Sequence, residues 1–470
     1  MSRRLRVLSF LLLLFVQVLL AVALSWTGAR ILETAHSARA RALGMGLLGC
    51  GAFWSAGIAL LLALRPSRTW IRECSSKLWL AFSSATFTFV LGSEVALRHF
   101  AAEDRDGNLV LWSRLIYPLR LPVASVEELV LRFELAGERS KLIYDSELGW
   151  APRPGYRAGV RAFDDEGIRV SAVAPSTAIS RALELPCIAL FGDSYTEGYG
   201  LPLEDSWGEF LARELAAAGT PVRVRNLGVQ GYGMDQALLR WRKSGAALEA
   251  RVVAFGLQLE NCERNVNILR PLYTLREACY ISEPFSKPRF VVEGDALRVV
   301  NQPCMPPQAV PQILRAMETW ELLPYEEHYD AADGASTLLD LSMLWRFGRS
   351  VRTSWGRYTH EPTEAQLELA RAIIDEFARD VRRSGASFVV VYLPTRLGLE
   401  RLALGRESRA EPWLAKLAEE HRCVNPQLAM LEAAREGGLR SLFLEDGHYA
   451  ARGHRVVGTA LAEELRRGGL

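Results

Sequence analysis

Apolar residues are spread along this chain in two different ways. Over the first hundred positions they form three long runs, Leu8–Leu24, Leu43–Leu64 and Leu78–Leu97. Beyond Leu185 they come in short blocks: Ile188–Phe191, the alternating Val222–Leu227, Arg251–Leu257 and Ser387–Leu393. Between the blocks lie stretches with helical spacing, at Ser206–Leu215, Thr363–Ser384 and about 450–467. The second of these is framed by Thr363 as an N-cap and by Gly385 just beyond its end. Short apolar blocks alternating with amphipathic helices predict βα units, hence an α/β fold with a mostly parallel sheet covered on both faces. The stretch from Leu142 to Tyr156 is rich in glycine and proline and reads as an irregular lead-in.

The long runs belong to different physics. Each approaches the ~20 residues that cross a bilayer, so residues 1–98 are expected to be a membrane anchor of three transmembrane helices. The first run follows Arg3, Arg4 and Arg6 and can alternatively be a signal peptide. The third is interrupted by Ser83, Ser84, Thr86, Thr88 and Glu94, and can alternatively be an amphipathic or buried helix. Basic residues at the N-terminus and at Arg65, Arg68, Arg72 and Lys77 outweigh Arg30, Arg39 and Arg41 in the loop between the first two runs. That bias sets both former segments in the cytoplasm. Three spans make this a multi-pass inner-membrane protein with everything after Arg98 on the periplasmic or extracellular side; two spans would leave the large domain cytoplasmic. Residues 99–139 then connect the anchor to a domain over 140–470.

The chain has 470 residues, 49 % hydrophobic and 23 % charged, with a net charge of +2. Nothing in that balance favours nucleic acid as a partner. No Cys-x-x-Cys pair suggests a zinc site. Outside the cytoplasm two cysteines can pair, the best placed being Cys279 and Cys304. Roughly a hundred residues separate the third strand from the helix before the fourth, far more than a crossover needs. Pro271, Pro284, Pro288, Pro303, Pro306, Pro307 and Pro311 break the first half of this stretch, and Ser336–Val351 has helical spacing. This is an insertion, at about 262–360, of the kind that shapes a substrate site.

The chemistry concentrates at Phe191-Gly192-Asp193-Ser194-Tyr195-Thr196-Glu197-Gly198. The segment leaves a buried strand and enters a helix, which presents Ser194 at the carboxyl edge of the sheet, where such sheets bind ligands. A nucleophilic serine needs a base, an acid to orient it and donors for an oxyanion. Asp446-Gly447-His448, just before the last helix, brings a carboxylate and an imidazole to one point from a single loop. His454 falls inside that helix and reads as structural. Gly231, after the second strand, can turn its N–H towards the serine, and Asn261, after the third, can offer its amide.

This ordered set, Gly-Asp-Ser, then Gly, then Asn, then Asp-x-His, resembles the SGNH/GDSL hydrolase superfamily over roughly residues 140–470. Tyr144-Asp145-Ser146-Glu147-Leu148-Gly149-Trp150 is similar to the lead-in of its membrane-anchored bacterial members. The resemblance implies a flavodoxin-like three-layer α/β/α sandwich, no metal and no other cofactor. It makes Ser194 the nucleophile, His448 the base and Asp446 the third member of the triad. The oxyanion hole would come from the Ser194 N–H, the Gly231 N–H and the Asn261 side chain. Two features depart from the family pattern. Leu259-Glu260-Asn261-Cys262 stands where Gly-x-Asn-Asp is usual, and one residue rather than two separates Asp446 from His448. The function implied is esterase action on an acyl or acetyl group of an envelope glycan, lipid or small molecule. An O-acyltransferase using the same triad is the alternative, and a non-catalytic envelope protein retaining the fold is another.

Overall fold

The computed structural model describes residues 101–470 apart from 173–183, 277–282, 295, 332–333, 359–360, 407 and 470, together with scattered positions in 15–27 and 85–100. The chain divides into two units, Met1–Ala101 with Ser342–Leu344, and Ala102–Leu341 with Trp345–Leu470. In the first, residues 92–100 are helical. Glu94 accepts an ion pair from Arg98 and the N–H groups of Met343 and Leu344. Among the described residues no helix is long and apolar enough to cross a membrane. The three apolar runs of the sequence fall largely outside the described residues.

Among the described residues, the second unit holds fifteen strands in chain order. A small sheet is made of β1 (Ala102–Glu103), β2 (Leu109–Leu111) and β3 (Arg114–Ile116). A hairpin follows from β4 (Leu142–Asp145) and β5 (Gly149–Pro152). The central sheet takes β6 (Arg157–Ala158), β7 (Arg161–Phe163), β8 (Arg169–Val170), β9 (Cys187–Phe191), β10 (Arg223–Asn226) and β11 (Ala250–Leu257). A second hairpin, β12 (Arg289–Glu293) and β13 (Ala296–Val300), precedes the last strands of the sheet, β14 (Ser387–Tyr392) and β15 (Arg422–Val424).

Five strands of the central sheet are parallel, in the order β15-β14-β11-β9-β10. Counted along the chain from β10 this is 2-1-3-4-5, the flavodoxin-like arrangement. Strand residues alternate between two cores. Ala189, Phe191, Val253, Phe255, Phe388 and Val390 face one, with Ile373, Ile374 and Phe377 of the Glu364–Arg383 helix. Ile188, Leu190, Val252, Ala254, Val389 and Val391 face the other, with Leu211 and Leu215 of the Trp207–Ala217 helix and Val457 and Leu461 of the Ala451–Arg467 helix. Helices therefore cover both faces, giving three layers. Thr363 caps its helix by accepting from the Gln366 N–H, while Gln366 returns a bond to the Thr363 N–H.

Where an irregular lead-in is expected, over 142–156, β4 and β5 pair as a hairpin; just beyond it, β6, β7 and β8 extend the sheet with antiparallel strands beside β10. They are two or three residues long, too short to leave a periodicity. Buried Arg169 holds them by donating to the carbonyls of Val160, Ala162 and Leu201. Residues 102–136 do more than connect. Val110, Leu115, Val126 and Val130 share a core with Leu269, Leu272, Val310 and Leu314. Cys304 is buried with a free thiol, which burial pushes up to about 12; Cys279 lies outside the described residues.

Candidate active site

Three loops leave the carboxyl edges of β9, β10 and β11, and a fourth precedes the last helix. The first is Gly192-Asp193-Ser194. Thr196 fills the slot behind it: a Cβ at either Gly192 or Gly256 would run into Thr196 Oγ1, so both positions require glycine. Ser194 opens the short helix Ser194–Glu197, and the Asp193 carboxylate caps that helix by accepting from the Tyr195 N–H at 2.9 Å.

The second loop, after β10, is tied to the first on both sides of Ser194. The Val229 N–H donates to the Gly192 carbonyl at 3.0 Å and the Gln230 N–H to Glu197 at 2.8 Å. These bonds hold Gly231 beside the serine loop, and Trp150 donates to the Gln230 carbonyl from below.

The third loop, after β11, carries a side chain that the sequence reading missed. Arg264 stands three residues after Asn261, one helical turn on. Its Nη1 donates to Asn261 Oδ1 (2.8 Å), Asp193 Oδ2 (3.1 Å) and the Tyr232 carbonyl (3.3 Å), and its Nη2 to Glu260 (2.6 Å). One guanidinium thus joins all three loops. Arginine only donates, so the Asn261 atom facing it must be the oxygen, which turns the amide nitrogen away. Burial raises the Asp193 carboxyl above its ordinary range and Arg264 opposes that rise. Tyr273 fixes the other end by donating to Glu260 at 2.8 Å.

The fourth loop supplies Asp446 and His448. His448 Nε2 lies 2.9 Å from Ser194 Oγ. Asp446 Oδ2 lies 3.1 Å from His448 Nδ1 but without the alignment of a hydrogen bond. Its other oxygen accepts the His448 N–H at 3.1 Å. Gly447 between them has φ +95°, a left-handed conformation suited to glycine, and its carbonyl accepts from Tyr195 at 2.8 Å. Tyr199 stacks on the imidazole at 4.6 Å and Tyr195 packs at 5.1 Å. Tyr195 lies within the serine motif and Tyr199 directly after it, and that adjacency was the signal available. His454 has another role. Fully buried, it accepts the Trp207 N–H at 3.3 Å and so caps a helix whose own N-cap, Ser206, makes no side-chain bond.

Among the described residues one group could meet the spacing of a metal site, Asp375, Glu420 and His421, on the far helices. His421 is bonded to Asp375 and Glu420 to Arg371, so these carboxylates have partners already.

The GDSL-like Lipase/Acylhydrolase family matches this chain over residues 190–257, the stretch that holds the first two loops and β11. Solved structures similar to the chain include a lipase/acylhydrolase from Enterococcus faecalis (14 % identity, 60 % of this chain and 97 % of that one, TM-score 0.32). Others are an acetylxylan esterase from Geobacillus stearothermophilus (11 %, 60 % and 94 %, TM-score 0.32) and a G-D-S-L lipolytic protein from Veillonella parvula (13 %, 60 % and 98 %, TM-score 0.29). No curated protein sequence matches the chain. A histidine nitrogen stands against the serine hydroxyl of the segment matched to this family, the pairing that serine hydrolysis requires.

Proposed function

We propose that this protein is a membrane-anchored serine esterase in which Ser194, His448 and Asp446 form the triad. The reading is carried by the 2.9 Å approach of Ser194 Oγ to His448 Nε2. For that contact to activate the serine, Nε2 must be unprotonated and accept the hydroxyl proton, which leaves the proton of the neutral ring on Nδ1, towards Asp446. Ser194 attacks the ester carbonyl as His448 takes its proton. Asp446 stabilises the imidazolium. The alcohol leaves with the proton from His448, and water then releases the acyl group by the same route.

The Ser194 and Gly231 N–H groups and the Asn261 amide are the donors for the tetrahedral oxyanion. Supporting this, neither backbone N–H nor the Asn261 nitrogen hydrogen-bonds elsewhere among the described residues. Anchoring is supported by the apolar runs at 8–24, 43–64 and 78–97, and the basic residues flanking them favour a periplasmic or extracellular catalytic domain.

The test is hydrolysis of 4-nitrophenyl acetate and longer acyl esters by the full-length chain beside its Ser194→Ala variant. Serine-dependent turnover is expected; equal turnover by the two proteins would overturn the assignment. Running the assay with added sugar acceptors reports transfer, the alternative fate of the acyl-enzyme, as acylated sugar.

A further inference from the structure

Next to Gly231 lies a cation that none of the steps above uses. Arg270 opens the short helix Arg270–Arg276 in the inserted stretch. It is 9 % exposed, and its guanidinium stacks on Tyr273 with 4.5 Å to the ring centroid. Its Nη2 is 3.5 Å from where a Cβ on Gly231 would sit. No hydrogen bond from its three side-chain nitrogens is made among the described residues; its one ion-pair partner, Glu283, is 3.7 Å away.

A second cation reaches the same loop. Lys141 donates to the Gln230 side chain, one residue before Gly231, and lies 5.8 Å from the ring centroid of Tyr199, the tyrosine stacked on His448. Arg161 sits on that ring at 4.1 Å. Burial, and then Arg161, lower the Lys141 ammonium below its usual range, as expected of crowded cations short of counter-charge. The carboxylates acting on Lys141 are Glu197, paired with Arg161 at 3.3 Å, and Glu283, which accepts from the Gln230 amide. Among the described residues, Lys141, Arg161 and Arg270 thus gather around Gly231 with Glu197 and Glu283, while Glu260, which also acts on Arg270, is bonded by Arg264 and Tyr273.

A buried guanidinium with unused donors is costly to keep unless something accepts from it. We propose that Arg270, with Lys141, forms an anion subsite adjoining Gly231, so that the natural ester carries a carboxylate or phosphate close to its scissile bond. This rests on the esterase reading. The planar fork of Arg270 suits either oxyacid, since both present paired oxygens.

The full-length chain is assayed with matched pairs of esters. Mono-4-nitrophenyl succinate against its methyl ester sets the charge on the acyl side, and 4-acetoxybenzoate against its methyl ester on the alcohol side. For phosphate the pair is 4-acetoxyphenyl phosphate against phenyl acetate. In at least one pair the anionic ester is expected to exceed its neutral partner in kcat/KM by roughly tenfold or more, and the pair concerned separates carboxylate from phosphate. The ratio should fall to near one in Arg270→Gln and survive in part in Arg270→Lys. A purely structural role for Arg270 would lower both esters together and leave the ratio intact, which overturns the proposal. So does Ser194-dependent turnover with no preference in any pair, an outcome that leaves the esterase standing. Absence of any Ser194-dependent turnover removes both.

Discussion

The two halves of the site are built to different standards. On the side of the proposed oxyanion donors, Asp193 and Asn261 are 0 % and 1 % exposed, and one arginine binds both. On the side of the proposed base, the His448 side chain is 23 % exposed and that of Asp446 49 %, with a contact between them that lacks hydrogen-bond alignment. Donors that stabilise developing charge work best when they need no reorganisation during reaction. A base that must accept and return protons tolerates solvent, and catalytic contacts of this kind commonly tighten only with substrate bound. Under the proposed roles, most of the rigid scaffolding falls on the oxyanion donors.

Each half can be broken separately. Ser194→Ala removes the atom both halves serve and should lower kcat by roughly 10⁴-fold or more with an unchanged melting temperature. Asn261→Ala should come next, at about 10²–10³ in kcat with little change in KM; a KM effect alone would mean that the amide binds ground state only. Arg264→Gln leaves Asp193 buried without its counter-ion. It should destabilise the fold by about 3–5 kcal/mol in denaturant titration and lower kcat by roughly tenfold or more through Asn261. Loss of stability with full kcat would show that Arg264 does not position the amide. Asp446→Asn should be milder, roughly tenfold, because a half-exposed carboxylate is screened by water. A loss matching that of Ser194→Ala would erase the distinction drawn between the halves.

One effect falls on stability alone and leaves both halves at neutral pH untouched. Burial first, and the nearby His448 second, lower the His454 imidazole from 6.5 to about 3. Between those values the unfolded chain holds the extra proton, so stability is complete above pH 6.5 and declines as pH falls through the window. At pH 4 the loss is on the order of 3 kcal/mol. Unfolding free energy measured against pH should be flatter over this range for His454→Gln; an identical slope would assign the acid sensitivity elsewhere.

Much of this was legible in the sequence, for definite reasons. β9, β11 and β14 are continuous apolar blocks because both their faces are covered, and Thr363 announces its helix through its own capping bond. The serine motif is legible because Gly192 must leave room for Thr196. What stayed hidden depends on distant packing. β15 and the edge strands β6–β8 are too short for any period. The weak third motif, with Glu260 and Cys262 around Asn261, makes sense only once Arg264 is seen reaching back to Asp193. The cations Lys141, Arg161 and Arg270 come together from segments more than a hundred positions apart in part, a proximity that spacing cannot announce.

The most direct measurement is to treat the full-length chain with a fluorophosphonate and locate the adduct by peptide mass spectrometry. The account predicts stoichiometric phosphonylation of Ser194, abolished in His448→Ala. A chain that stays unlabelled, or carries its adduct on another residue, would contradict it.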